Sequence, residues 1–138
     1  MISLSTVATA RRIFAGEKKA ERRDWRMNPT WYLVQVTKSA VAGLPEGHAD
    51  KSLGGRVMGA IKISDALPYA EYLDRYPEDC TGGEPTEKIY NRIEEFVEFG
   101  GELRERAGSR RVGLVDADLK EYALQQLKAR GFDIAECE

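Results

Sequence analysis

The chain has 138 residues, 42% apolar and 32% charged, with a formal net charge of −2, which suits one domain over 1–138 with a core of its own. Two cysteines, Cys80 and Cys137, are too few for a structural zinc site or a disulfide framework, and no apolar run approaches the roughly 20 residues that cross a bilayer. With no secretory leader either, the composition predicts a cytoplasmic protein with no membrane partner.

Residues 5–15 predict a helix with Val7, Ala10, Ile13 and Phe14 on one face, Ser5 as N-cap and Gly16 as the left-handed stop. Residues 20–26 read as a short extended segment, closed by the Asn28-Pro29 turn. Trp31–Thr37 is aromatic and β-branched and predicts a strand, whereas 42–55 carries four glycines and a proline and predicts a loop. Arg56–Ser64 predicts a second strand, with Gly59 marking a bulge or a close backbone approach.

After Pro68, Tyr69, Tyr72, Leu73 and Tyr76 fall at helical spacing, and Cys80–Gly83 breaks that helix. Ile89, Ile93, Phe96 and Val97 form a helical stripe over 86–99, with Gly100-Gly101 as the stop. Val112–Val115 predicts a short strand. Residues 118–130 predict a helix, opened by the Asp118/Glu121 capping-box spacing, with Leu119, Ala123 and Leu127 inward and Gly131 as its end. Phe132–Ile134 predicts a last strand. The order is α+β, with no βαβ repeat.

Standard catalytic signatures are absent: the chain holds no P-loop, no dinucleotide fingerprint and no nucleophile elbow. One histidine, His48, lies in the Gly/Pro loop and reads as a solvent-exposed residue, and Cys80 has no base beside it. No metal site and no cofactor is expected. Any chemistry falls to Lys, Glu, Asp or Tyr.

Charge is distributed unevenly. Residues 1–70 hold 11 Lys/Arg against 6 Asp/Glu, and residues 71–102 hold 3 against 10. Arg11, Arg12, Lys18, Lys19, Arg22, Arg23 and Arg26 crowd together, a cluster that attracts phosphates if it folds onto one face. If 20–25 is extended, Glu21, Arg23 and Trp25 project to one side, with Lys18 where that segment starts. Two readings stay open: a wall that grips phosphate and stacks a base, or charges that pair among themselves while Trp25 packs in the core.

The ordered set Gly16-x-Lys18-x-x-Glu21-x-Arg23-x-Trp25 after an amphipathic helix resembles the signature of the ASCH (activating signal cointegrator homology) domain. The strand at 31–37, the Gly/Pro excursion, the glycine-bearing strand at 55–64 and the short helix ending near Tyr76-Pro77 follow in the family's order, so the resemblance covers about 4–79. It implies a small PUA-like β-barrel flanked by helices; residues 84–138 depart from the family's pattern and either close the barrel with Val112–Val115 and Phe132–Ile134 or form an added helical C-terminal region. It also implies RNA or a modified nucleoside as the partner, in a cleft beside the helix and the motif strand.

Some family members remove the acetyl group from N4-acetylcytidine, with a lysine, a threonine three positions later and a further glutamate. Lys18 matches that lysine, Glu21 stands where the threonine would be, and Glu78, or less closely Asp79, matches the later acid. A carboxylate in place of a hydroxyl nucleophile changes the mechanism. Three functions follow from the resemblance and the charge pattern. The first is an RNA- or nucleotide-binding domain that uses Lys18, Arg23, Trp25 and Arg26, with Glu21 in the same cleft. The second is a hydrolase (an N4-acetylcytidine amidohydrolase or a ribonuclease) that uses Lys18, Glu21 and Glu78. The third is a protein-interaction module that presents the acidic 71–102 face.

Overall fold

The computed structural model describes residues 2–4, 7–79, 88–100 and 117–132. Five strands form one sheet: β1 (Ile2–Leu4), β2 (Ala20–Arg23), β3 (Trp31–Val36), β4 (Val57–Pro68) and β5 (Ile89–Glu98), in the order β1-β3-β4-β5-β2. β1 lies parallel to β3, and the other four pair antiparallel as a curled half-barrel. The helices are α1 (Val7–Phe14), α2 (Tyr69–Arg75) and α3 (Ala117–Ala129). The architecture is α+β, as expected.

α1 forms because Val7, Ala10 and Ile13 recur on one face, and all three are buried. It stops where Gly16 takes φ +77°, a left-handed conformation that glycine adopts without steric cost. The apolar face covers Tyr32, Val34, Val36, Ile61, Ile63 and Ile93 on one side of the sheet. On the other side Leu33, Val57, Ala60, Val97 and Phe99 pack on Leu119, Ala123 and Leu127 of α3. At the far end of that side Tyr72 of α2 packs with Tyr90 and Ala20.

Where a helix is predicted over 86–99, the described residues form a strand, β5. β5 runs between β4 and β2, so sheet pairing overrides the local periodicity. The misleading stripe has a physical origin in a register shift, where Lys62 faces Glu95 but Ile63 faces Ile93, leaving Glu94 as an extra residue. The extra residue moves the rest of the strand to the opposite face. Ile93 therefore belongs to the α1 core and Val97 to the α3 core, four residues apart as on a helix. The C-terminal region is thus not wholly helical: it supplies an interior strand and one helix among the described residues.

A second shift, between Val34↔Gly59 and Gln35↔Val57, leaves Met58 as an extra residue beside Gly59. Gly59 marks a close approach too, since an added Cβ would stand 2.5 Å from the Phe14 ring and 2.3 Å from the Val97 carbonyl. Such shifts bend and twist a sheet, and they account for its curl.

The other boundaries differ in detail. β2 ends at Arg23, short of the extended stretch expected to 26, while β4 runs on to Pro68. Short 3₁₀ turns at Lys38–Ala40 and Lys51–Leu53 punctuate the excursion after β3. Phe132 follows α3 and meets Trp31 edge to face, with ring centroids 5.1 Å apart. Ser5, Cys80, Cys137, the strand expected at Val112–Val115 and residues 133–134 lie outside the described residues, as does the side chain of Asp118.

Candidate nucleic-acid interface

β2 is an edge strand, and it places the motif. Glu21 lies opposite Asn91 of β5 and Arg22 opposite Tyr90, so Glu21 and Arg23 share the α1 side while Ala20 and Arg22 share the other. Glu21 is 5% exposed and holds two cations: Lys18 Nζ donates to its Oε2 at 2.8 Å, and Arg23 Nε pairs with its Oε1 at 3.1 Å. A buried carboxylate needs such partners, because desolvation otherwise disfavours its charge.

Asn91, fully buried, locks the segment beyond the strand. Its Oδ1 accepts from Met27 N at 2.8 Å, and its Nδ2 donates to the carbonyls of Glu21 at 3.0 Å and Trp25 at 3.4 Å. Arg26 donates to the Ala66 carbonyl on β4. Trp25 therefore sits on an anchored backbone, yet its side chain is 45% exposed. Of the two readings of Trp25, packing in the core is excluded. Strand alternation does not reach it either, because β2 has already ended.

The two acids after α2 have different surroundings. Glu78 is exposed, while Asp79 is 7% exposed and accepts the Tyr72 hydroxyl at 2.9 Å. Arg92 Nε stands 3.4 Å from the same Asp79 oxygen, and its guanidinium lies 4.4 Å from the centre of the Tyr76 ring. The Tyr72 hydroxyl also lies 3.4 Å from the Lys19 carbonyl, so this network abuts the motif. Burial, reinforced by the bond to Asp79, pushes the Tyr72 hydroxyl well above the ordinary tyrosine range. The Tyr76 hydroxyl is raised by its hydrogen bond to Asp65.

A pocket of about 190 Å³ opens between the end of α1 and β2. Arg12, Glu17, Lys18, Lys19, Arg22 and Tyr90 line it. The basic cluster read from the sequence thus divides about β2, with Arg23 on the motif side and Arg22 on the pocket side. Among the acidic residues of 71–102, Glu71 and Asp74 lie on α2 and Glu94, Glu95 and Glu98 on β5, all exposed. These acids are thus spread over a helix and a strand. His48 is exposed, its Nδ1 accepting from Asp50 N.

The structure brings Lys18, Glu21 and Arg23 together, holds Trp25 and Arg26 just beyond them, and leaves Glu78 on the surface. Sequence reasoning missed Asn91 and the Tyr72–Asp79–Arg92 network. Asn91 carried one usable signal, an amide at alternate spacing between Ile89 and Ile93, which becomes informative once the segment is known to be a strand. No group of three or more metal-ligating side chains converges among the described residues, and no described helix is long and apolar enough to cross a membrane. No protein-family model and no curated protein matches this chain.

Proposed function

We propose that this chain is an ASCH-like, PUA-related domain that binds single-stranded RNA or a modified nucleoside at the motif strand, with Lys18, Arg23, Trp25 and Arg26 as ligand contacts. The observation that carries this reading is the indole of Trp25, exposed on a backbone pinned by Asn91 and flanked by a concentration of Lys and Arg. A half-exposed aromatic on a rigid support stacks a base with little ordering cost, and the guanidinium groups meet phosphate. The half-barrel and its aromatic-bearing strand β5 are compatible with the small barrel that the family resemblance implies.

The ion pairs favour recognition over turnover. Lys18 is engaged by Glu21, Asp79 is engaged by Tyr72 and Arg92, and Glu78 is exposed. The test is binding of a short single-stranded RNA across a salt series, with wild type and Trp25→Ala. Affinity is expected to fall steeply with salt as counterions are released. Trp25→Ala is expected to cost about 1–3 kcal/mol of binding while the fold is kept. Salt-independent binding, or equal affinity in the variant, would sink the reading.

A further inference from the structure

We propose that the pocket between α1 and β2 is a phosphate-monoester site that adjoins the motif face around the edge of the same strand and shares Lys18 with it. Its volume, about 190 Å³, lies below the roughly 300–1,000 Å³ of pockets that enclose drug-sized ligands, so it suits a terminal phosphate rather than a whole nucleotide. Its walls set Arg12, Lys18, Lys19 and Arg22 against one carboxylate, Glu17. Glu17 lies 3.9 Å from Arg12, and Lys18 is paired with Glu21. Lys19 and Arg22 are exposed and have no carboxylate partner among the described residues. Two cations on one concave wall, with no carboxylate partner among the described residues, match the two charges of a monoester, and a guanidinium can take two of its oxygens at once.

One feature of the fold opposes an anion here and is partly offset. The carbonyl end of α1 points negative charge toward its last turn. Three of its last four carbonyls are occupied: Arg11 O accepts from Ala15 N, Ile13 O from Gly16 N, and Arg12 O from both Glu17 N and Lys18 N, at 2.9–3.1 Å. Arg22 faces away from Glu21 and Arg23, while Lys18 lines the pocket and also bonds Glu21, so it joins the two sides. The source of the phosphate rests on the RNA reading: a strand whose base meets Trp25 would deliver its terminal phosphate to Arg22 and Lys19.

The experiment has two arms. In the first, backbone amide NMR spectra of the full chain are followed during titration with inorganic phosphate, with chloride at matched ionic strength as the control. Phosphate-specific shifts at residues 12 and 17–22, lost in Lys19→Gln/Arg22→Gln, support the site whether or not RNA binds. Shifts that chloride reproduces overturn it. In the second arm, one short RNA is compared with a 5′-phosphate and with a 5′-hydroxyl. About tenfold tighter binding of the phosphorylated strand is expected, abolished by the double substitution. Equal affinities would overturn the assignment of the pocket to an RNA terminus and leave the motif-face reading standing. If neither RNA binds while phosphate shifts the spectra, the RNA reading fails and the phosphate site survives.

Discussion

A single buried amide organises the candidate interface. Asn91 satisfies the Met27 N–H and the Glu21 and Trp25 carbonyls from one position on β5. No apolar side chain can replace it, because each of those backbone groups would lose its partner near the interior. Leaving one buried polar group unsatisfied costs roughly 1–3 kcal/mol, and water can reach the partly exposed Trp25 side more readily than the others. Asn91→Ala is therefore expected to lower stability by about 2–4 kcal/mol in urea unfolding. A loss below about 1 kcal/mol would show that the 25–27 segment holds its course without the amide. Glu21 makes the complementary point. The Lys18 and Arg23 contacts are three and two residues away along the chain, so local spacing sufficed to anticipate that they meet. Asn91 and Tyr72 come from 70 and 53 residues away, and no local pattern could have joined them to Glu21 and Lys19.

At the scale of elements, legibility follows how regular each element is. α1, α2 and α3 each keep one inward face along their whole length, and so their periodicity was readable. β3 needed only its aromatic and β-branched composition. β5 was unreadable as a strand because it changes face at Glu94 and is partly covered on both sides, which erases the alternation that marks a strand. β4 carries a comparable irregularity at Met58, but its glycine gave it away. Gly59 lets the Phe14 ring lie against β4, and this contact seats the last turn of α1 just before the motif. Gly59→Ala would bring a methyl group within 2.5 Å of Phe14 and 2.3 Å of the Val97 carbonyl. Phe14 can move, but the carbonyl belongs to the β5 ladder and cannot shift without disturbing it. The substitution is expected to destabilise the fold by about 1–3 kcal/mol. A variant with unchanged thermal and urea midpoints would mean that α1 rides higher on the sheet than this packing requires.

Across the whole molecule, one surface ion pair adds a polar tether between parts of the chain that the hydrophobic core already joins. The long excursion between β3 and β4 carries mostly exposed residues from 42 to 52, and its apolar anchors are Val41, Leu44 and Leu53, which pack on the α1 core. Arg11 on α1 reaches Asp50 in that excursion with both terminal nitrogens, one of them at 2.8 Å. The paired hydrogen bonds from Arg11 hold the Asp50 carboxyl below its ordinary value. A carboxylate whose value is lowered by folding adds stability above the unfolded value, about 3.9, and loses it as pH falls through the folded value. The excursion should therefore stay tethered at neutral pH and loosen only in acid. In a carbon-13 titration, Asp50 is expected to have its midpoint below that of an unpaired aspartate, and Arg11→Gln should return it to the ordinary range. Wild type should also be more stable than Arg11→Gln at pH 7, by the small margin typical of exposed pairs, with the gap closing as Asp50 protonates. An Asp50 midpoint identical in the two proteins would show that the guanidinium does not hold the carboxylate in solution. The excursion would then be held to α1 by the apolar packing of Val41, Leu44 and Leu53 alone.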